Sequence, residues 1–271
     1  MLGRRTTPGD FPSSLFKVGD AVYFAGALDR AGCYAEYCLV DERIAARKPA
    51  SLSNPQAAAL PLTSITAWEM LFDRLSVVEG GGLGQTLLVI GAGGGVGSIL
   101  VQLARQLTQL RVVATAARPE TVEWLKQLGA HHVIDHRKPL SSELALLGIQ
   151  YVDMVASLTH TDLYFDQCVE VLKPQGKLAL IDDPQTLNAM PLKRKSLSLH
   201  WEMMFTRSLY ETEDMIRQHE LLTRVATLID QGVLKTTMGE HFGAINAANL
   251  RRANALIESG KSRGKLVLEG F

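Results

Sequence analysis

One turn of seven residues constrains the fold of this chain more than any other part of its sequence. It reads Gly91-Ala92-Gly93-Gly94-Gly95-Val96-Gly97. The apolar run Thr86–Ile90 before it is typical of a buried strand, and apolar residues from Ile99 to Leu107 recur on one face of a helix. Glycines here let the backbone approach a bound group, while the first N–H groups of the helix and its positive dipole end point at that group. The pattern predicts a diphosphate site between this strand and this helix.

Strand-like and helix-like patterns alternate from this strand onward. The predicted strands are Thr86–Ile90, Arg111–Ala116, His132–Asp135, Val152–Ala156, Lys177–Ile181 and Ser196–Trp201. Helical spacing separates them, and near-continuous apolar strands alternating with helices are typical of a parallel sheet covered on both faces. The sequence therefore predicts an α/β fold with a doubly wound parallel sheet.

The two ends of the chain carry other patterns. The first sixteen residues are rich in Pro, Gly, Ser and Thr without a period, which predicts an irregular lead. Two β-rich runs, residues 17–26 and 33–41, predict short antiparallel strands. The other predicted elements are helices at Thr63–Leu75, Asp214–Gln231 and Ala247–Ser259 and a last strand at Lys265–Leu268.

Composition excludes several classes of protein. The 271 residues correspond to about 1.8 domains at ~150 residues each. Lys and Arg (28) balance Asp and Glu (28), so no net charge favours nucleic acid or anionic lipid. The most apolar stretch, Leu87–Val101, is too short to span a bilayer, and three cysteines are too few for a disulfide framework. We expect a soluble, cytoplasmic protein with no nucleic acid or membrane partner.

The residues after the second predicted strand favour NADP(H) over NAD(H). NAD sites usually place Asp or Glu there for the ribose 2′-hydroxyl, but this strand is followed by Ala117 and Arg118. Because a guanidinium forms a bidentate pair with a phosphate, we predict that Arg118 binds a 2′-phosphate; a solvated arginine is the alternative. His136, after the third strand, is a second candidate for this phosphate, with a structural or solvated role as its alternative.

The glycine turn has two interpretations. In the fingerprint Ala92-x-Gly94-x-x-Gly97, alanine stands where the first glycine is usual, and its methyl group is tolerated if φ stays below zero. The alternative to phosphate binding is that the glycines serve only to pack the helix on the sheet. Five glycines in seven residues exceed that need, so phosphate binding is favoured.

Seven segments carry a resemblance to a known family. In chain order they are GDAVYFAG, AGCYAEYCLVDE, AAALPLTSITAWEML, LLVIGAGGGVGSILVQLAR, LGAHHVIDH, LKPQGKLALIDDP and SRGKLVLE. From about Lys17 to Phe271 the chain resembles the medium-chain dehydrogenase/reductase superfamily, in its quinone-oxidoreductase-like branch. It is most similar there to the zinc-type alcohol dehydrogenase-like family.

The resemblance implies a Rossmann domain at residues 65–209 and a partial GroES-like catalytic domain formed by residues 1–64 and 210–271. It also implies NADPH in the cleft between them, with hydride transfer to a quinone or an α,β-unsaturated carbonyl. The positions matching the family's cofactor contacts are Thr66 (nicotinamide half), Ala92 to Gly97 (diphosphate), Arg118 and His136 (2′-phosphate), Ser157 and Ile181 (nicotinamide pocket), and Gly264 and Lys265 (a late loop returning to the cofactor). For Thr66 the alternative is a hydroxyl that bonds back to the preceding helical turn. By analogy, the edge strand at Ser196–Trp201 implies a homodimer.

The metal ligands of the zinc enzymes are not evident. A zinc site needs three or four ligands, and the pair Cys33-x4-Cys38 has no third cysteine near it. We therefore predict that both are buried small hydrophobes and that no metal is bound. The family's opening strands, which line the substrate side, have no counterpart in the first sixteen residues, so no catalytic residue is assigned. The phenols of Tyr23, Tyr34 and Tyr37 are predicted to be mostly core.

The sequence thus predicts a zinc-independent, NADPH-dependent oxidoreductase acting on quinones or α,β-unsaturated carbonyls. A conjugated acceptor spreads the incoming charge itself and so needs no Lewis acid. Two alternatives stay open: a truncated NADPH-binding protein without turnover, serving as a sensor or scaffold, and a zinc-dependent alcohol dehydrogenase.

Overall fold

The computed structural model describes the backbone of residues 2–4 and residues 14–30, 32 and 35–271 in full. The chain divides into two compact units. Residues 66–203 form one, here called the sheet unit, and residues 1–65 with 204–271 form the other, here called the split unit. The predicted functional roles of residues 1–64, 65–209 and 210–271 stay predictions.

The strands of the described residues are β1 (Leu2–Arg4), β2 (Ala21–Phe24), β3 (Ala45–Arg47), β4 (Thr86–Ile90), β5 (Arg111–Thr115), β6 (His132–Ile134), β7 (Val152–Ser157), β8 (Leu172–Leu180), β9 (Ser198–Trp201), β10 (Met238–His241) and β11 (Lys265–Val267). The α-helices are α1 (Asn54–Ala58), α2 (Pro61–Trp68), α3 (Gly95–Leu107), α4 (Pro119–Gln127), α5 (Leu140–Leu146), α6 (Thr161–Val171), α7 (Met190–Lys193), α8 (Thr206–Leu209), α9 (Arg217–Asp230) and α10 (Ala247–Glu258). A 3₁₀ turn covers Glu42–Ile44, and a π-helical segment, Glu69–Arg74, continues α2.

The sheet unit is built on six parallel strands in the order β6-β5-β4-β7-β8-β9. Leu88 of β4 lies between Val113 of β5 and Val155 of β7, and the strand order reverses between β4 and β7. All five residues of β4 are buried, as expected for a strand covered on both faces. The predicted α/β fold class with a doubly wound parallel sheet is confirmed.

Helices α5 and α6 cover one face of this sheet. Leu144 of α5 and Phe165 and Cys168 of α6 join Leu88 and Ile90 in one apolar cluster. Because side chains alternate along a strand, Leu87 and Val89 of β4 point to the opposite face, where α3 packs. The core therefore fixes β4, and with it the start of the glycine turn, from both sides.

The split unit contains an antiparallel sheet, β1-β2-β3, and a parallel pair, β10 and β11. Helix α9 packs on β3, where the His219 ring nitrogen Nδ1 lies 2.6 Å from the Ala45 carbonyl oxygen. The Tyr23 hydroxyl donates to the Leu222 carbonyl at 2.6 Å. These contacts join the first and last parts of the chain into one unit.

Two predictions for the start of the chain are wrong. The lead is not wholly irregular, because Leu2–Arg4 pair with β2; a strand this short carries no detectable period. Over residues 35–40 no strand forms among the described residues, although Cys38 and Val40 pack inward and the intervening Leu39 is exposed. The alternation of side chains is present there, but in the described part of the chain it meets no neighbouring strand to pair with.

No helix in the described part of the chain combines the length and apolarity needed to cross a membrane.

Candidate functional site

The carboxyl ends of the parallel strands bring several predicted site residues to one edge of the sheet. The glycine turn follows β4, Arg118 follows β5, His136 follows β6, Ser157 ends β7 and Ile181 follows β8. In open parallel sheets ligands bind outside this edge, where the strand order reverses. Here the reversal lies between β4 and β7, directly beside the glycine turn.

Packing explains three of the glycines in this turn. Gly91 has φ +75°, and a Cβ there would lie 2.7 Å from the Thr159 methyl carbon. A Cβ at Gly93 would lie 2.4 Å from the Thr121 methyl carbon, and one at Gly97 would lie 2.4 Å from the Ala92 Cα. At these positions the chain itself requires glycine.

Gly94 is different. Its backbone is extended (φ −74°, ψ −178°), and among the described residues a Cβ there would meet only the Gly91 carbonyl oxygen, at an ordinary 3.5 Å. Packing within the protein therefore gives no reason for glycine at this position. A group that must come closer to the backbone than a methyl allows supplies such a reason.

The N–H groups that follow Gly94 are not used by the helix. The first helical bond of α3 runs from the Ser98 N–H to the Gly94 carbonyl at 2.9 Å, so the N–H groups of Gly95, Val96 and Gly97 precede the helix's own hydrogen-bond ladder. No side chain among the described residues caps this end of the helix. Gly95 and Val96 are partly exposed, so the residues present fit an anion such as a diphosphate.

Ala92 adopts the backbone conformation that its methyl group requires at this position. Its φ is not positive and its side chain is fully buried. The Gly91 N–H donates to Thr115 Oγ1 at 3.3 Å. The end of β5 therefore anchors the turn at the point where it leaves β4.

Arg118 lies at the start of α4 with about a third of its side chain exposed. Its guanidinium Nε is 3.7 Å from the Glu120 carboxylate, and its backbone carbonyl accepts bonds from the Thr121 and Val122 N–H groups at 3.0 Å. The backbone of Arg118 is thereby fixed at the start of α4, and the 3.7 Å from Nε to the Glu120 carboxylate is longer than a hydrogen bond.

His136 is half-buried beside Tyr164, with ring centroids 6.5 Å apart, and the Tyr164 hydroxyl donates to the His136 carbonyl at 3.4 Å. Burial lowers the pKa of His136; the charge of Asp135 opposes this, and those of Arg137 and His160 add to it. His136 is therefore mainly neutral at pH 7.

A hydroxyl–carboxylate network at the ends of β7 and β8 was missed at the level of sequence. Ser157 Oγ lies 2.7 Å from Thr161 Oγ1, the Thr161 N–H donates to Asp182 at 2.7 Å, and the Thr161 hydroxyl also donates to Asp182. Ser157 and Thr161 are fully buried. The signal was Asp182 itself, a carboxylate one residue beyond Ile181 at a strand end. Ile181 is half-buried at the same edge.

The other proposed cofactor residues occupy different places. Thr66 is the first residue of the sheet unit and is 5% exposed on α2. Gly264 and Lys265 belong to the split unit. Gly264 has φ +60° and its Cβ would clash with the Thr237 carbonyl at 2.3 Å. Burial lowers the pKa of Lys265.

The predictions for metal ligands, cysteines and tyrosines have different outcomes in the structure. Among the described residues no three His, Cys, Asp or Glu side chains are grouped as they would be around a metal ion. Cys38 is half-buried in a loop and Cys33 lies outside the described residues. Tyr23 is core, and burial raises the pKa of its phenol. Tyr37 is not core, being 70% exposed, and Tyr34 also lies outside the described residues.

Comparison with known proteins decides the family. A family model described as zinc-binding dehydrogenase matches residues 128–268. A zinc-type alcohol dehydrogenase-like protein of Staphylococcus aureus is 38% identical over 260 residues, which are 94% of this chain and 77% of the relative. The chain belongs to the zinc-type alcohol dehydrogenase-like family of the medium-chain dehydrogenase/reductase superfamily.

Two further relatives bear on the fold and the chemistry of this family member. The crystal structure of a candidate zinc-dependent alcohol dehydrogenase from Rhizobium etli CFN 42 matches with a TM-score of 0.91 and 53% identity, covering 95% of this chain and 76% of that one. An NADPH-dependent alkenal/one oxidoreductase of Arabidopsis thaliana, named as chloroplastic, is 32% identical over 192 residues, 65% of this chain and 47% of the relative. The chain is therefore an oxidoreductase of the medium-chain type.

Proposed function

We propose that this chain is a zinc-independent oxidoreductase that uses NADPH to reduce a quinone or an α,β-unsaturated carbonyl. The observation that supports the proposal is the position of Gly94, where packing among the described residues does not require glycine, whereas close approach of a phosphate to the backbone would require it. The Arabidopsis relative supports the choice of cofactor and acceptor, because its name gives both NADPH and an alkenal or enone.

The glycine turn would hold the diphosphate. The N–H groups of Gly95, Val96 and Gly97 and the positive end of the α3 dipole provide donors and favourable potential for two adjacent phosphates. Gly93 and Gly94 keep the backbone free of Cβ atoms on the approach. Ala92 remains under the turn, in the core.

Arg118 would select the phosphorylated nucleotide. It starts the helix after β5, where NAD-binding sites usually carry an acidic residue for the 2′-hydroxyl. A guanidinium binds a phosphate through two charge-assisted hydrogen bonds, and these would replace the 3.7 Å approach to Glu120. His136, at the next strand end, would lie on the same side of the site.

The nicotinamide end would be oriented by the residues at the ends of β7 and β8. Ser157 is held in its rotamer by Thr161, which is fixed in turn by Asp182. Ile181 offers an apolar wall, and Thr66 of the same unit completes this part of the proposed set; the roles of Gly264 and Lys265 stay predictions. When bound, NADPH supplies a hydride from nicotinamide C4, and the protein's part is to orient the cofactor and acceptor.

No zinc is needed for this reaction, because a conjugated acceptor delocalises the charge that the hydride brings. Simple ketones lack that delocalisation. The proposal therefore predicts turnover with quinones and enones and little with saturated ketones.

The deciding experiment is steady-state oxidation of NADPH with panels of quinones, enones, saturated ketones and alcohols, alongside metal analysis of the purified protein. Turnover confined to the conjugated acceptors, without stoichiometric zinc, supports the proposal. Tight NADPH binding without turnover would instead indicate a binding protein that acts as a sensor or scaffold. Stoichiometric zinc with alcohol oxidation would indicate a zinc-dependent alcohol dehydrogenase.

A homodimer is part of the same proposal. Strand β9 ends the sheet, and Trp201 on it is 50% exposed. An edge strand with an exposed aromatic side chain favours pairing with a second copy. Sedimentation of the wild type and of Trp201→Lys tests this, since the lysine should shift a dimer toward monomer.

A further inference from the structure

The most unusual polar cluster in the sheet unit lies apart from the glycine turn, under the end of β9. Glu202 follows β9 directly, and its N–H extends the ladder by donating to the Leu180 carbonyl at 3.0 Å. Its side chain is fully buried, as is Glu69, the first residue of the π-helical segment. Arg74, at the end of that segment, donates from Nε to Glu202 Oε2 at 2.8 Å. We call Glu69, Arg74 and Glu202 the β9 cluster.

The π-helical turn is what assembles this cluster. Residues five apart lie roughly 140° apart around an α-helix, but i→i+5 bonding stacks them on one side. The Leu75 N–H bonds the Met70 carbonyl in this way at 2.9 Å. Glu69 and Arg74 are five residues apart and therefore face Glu202 together. π-helical turns recur at functional sites in proteins, so we looked for a functional role for this one.

The surroundings of Glu202 indicate that the pair of acids keeps one proton. Oε2 accepts from Arg74, while no N–H or hydroxyl donor among the described residues reaches the buried Oε1. The carboxyl group of Glu69, which is also fully buried, acts on Glu202 through its charge. Two buried carboxyl groups that share one site cannot both stay ionised, because their like charges repel in a medium of low dielectric constant.

The charges around the pair favour the same state. Lys177 and His200 lie on the sheet face that Glu202 shares, and the Lys177 ammonium donates to the Leu75 carbonyl at 2.7 Å. Burial, and after it the charges of Lys177 and Arg74, lowers the pKa of His200, so that ring is neutral. Arg74 thus balances one carboxylate of the pair. Burial and then the charge of Glu69 raise the pKa of Glu202 to about 8.

We propose that Glu69 and Glu202 are positioning residues, which share one proton and thereby hold the helix that carries Thr66 against the carboxyl end of β9. Thr66 precedes Glu69 by three residues, so the two lie on one side of this helix. The assignment rests on the proposed function, in which Thr66 contacts the nicotinamide half of NADPH. Loss of the proton places two buried carboxylates side by side with one arginine, and their repulsion frees the helix.

The test uses the full-length protein with Glu202→Gln and Glu69→Gln, each of which replaces one acid by a neutral isostere. Glu170→Gln, at an exposed position on α6, is the matched control. Infrared difference spectra at pH 7 should show a protonated carboxyl band in the wild type and control that both cluster variants lack, because each leaves a single carboxylate beside Arg74.

Affinity for NADPH, measured by fluorescence titration between pH 6.5 and 9.5, tests the positioning role. In the wild type and control, Kd should rise above pH 8 by up to about tenfold per pH unit. In Glu202→Gln and Glu69→Gln it should stay near the wild-type value at pH 6.5 across the whole range, whereas Glu202→Ala should bind weakly throughout. A rise in Kd caused by any titrating group outside the cluster would persist in the glutamine variants.

Two results would overturn the proposal: no carboxyl band that depends on the cluster, or glutamine variants that keep the wild-type pH dependence. Absence of NADPH binding at every pH would refute the proposed function and the positioning role with it. The infrared band would still report the shared proton, so the two failures are distinguishable.

Discussion

The two ends of the same sheet edge are built in opposite ways. At β4, β5 and β6 the candidate groups lie just beyond the strand ends and are partly exposed. They are backbone N–H groups, the Arg118 guanidinium and the neutral His136 ring. Beyond β9 the cluster is buried and acidic, and its arginine comes from a π-helical turn 128 residues earlier in the chain. The first arrangement is suited to receiving a charged ligand from water. The second excludes water and suits holding protein elements in place.

The largest expected effect is the loss of stability in Gly97→Ala, and its comparison with Gly94→Ala distinguishes structural from functional glycines in the glycine turn. Gly97→Ala should lower the free energy of unfolding by about 2–4 kcal/mol, because its Cβ would lie 2.4 Å from the Ala92 Cα. Backbone atoms cannot rotate away as the end of a side chain can. Gly94→Ala should cost no more than about 1 kcal/mol, the cost of alanine at a helix N-cap. Denaturant unfolding measures both.

The same pair of variants tests the site. Gly94→Ala should raise the Kd for NADPH at least about tenfold while the protein stays folded, because the methyl occupies the approach of the phosphate. An unchanged Kd for Gly94→Ala would remove the observation that carries the proposed function.

Sequence reasoning succeeded where the residues that form a site follow one another along the chain. The glycine turn, β4 and the α/β class could be predicted because a strand, a turn and a helix are consecutive and each has its own period. At Gly91, Gly93 and Gly97 the reasoning attributed to phosphate what packing against Thr159, Thr121 and Ala92 already requires. That distinction depends on contacts between distant residues.

Sequence reasoning failed where pairing is non-local. Leu2–Arg4 form a strand because β2 lies beside them, not because of their own composition. Glu69, Arg74 and Glu202 look like ordinary charged residues on a helix and after a strand, since the π-helical turn that unites them has no period in the sequence. Buried acid pairs cannot be recognised before the fold is known.

The next largest expected effect is that of Arg118→Ala on NADPH binding, which tests whether the partly exposed end of the sheet edge binds a phosphate through charge. Arg118→Ala should raise the Kd for NADPH by about 10- to 100-fold, the value of a charged hydrogen-bond pair of about 1.5–3 kcal/mol, and leave the Kd for NADH within a factor of about two. Arg111→Ala, exposed at the opposite end of β5, is the control and should change neither. Equal losses for both nucleotides would show that Arg118 does not read the 2′-phosphate.

The β9 cluster should make stability fall with rising pH. The pKa of Glu202 is raised in the folded protein, so between about pH 4.5 and 8 the unfolded chain releases a proton that the folded chain keeps. The stabilisation is therefore complete below the unfolded pKa and is lost as pH rises toward 8, with a slope of at most about 1.4 kcal/mol per pH unit. Urea unfolding across this range should show the slope in the wild type and not in Glu202→Gln; an unaltered slope would assign it to other groups.

The smallest expected effect belongs to His136 and reverses the pH dependence of the β9 cluster. Because its pKa is lowered, mainly by burial, the ring is neutral at pH 7.5 and offers a phosphate no full charge. His136→Ala should therefore raise the Kd for NADPH by less than about threefold at pH 7.5, below about 1 kcal/mol. At pH 5.5 a larger share of the wild-type ring is protonated, so the same substitution should cost more there. Binding measured at the two pH values thus separates an imidazolium at the phosphate end, whose contribution grows as pH falls, from the carboxyl pair near β9, whose contribution is lost as pH rises. If His136→Ala costs the same at both pH values, the ring contacts the nucleotide by packing alone.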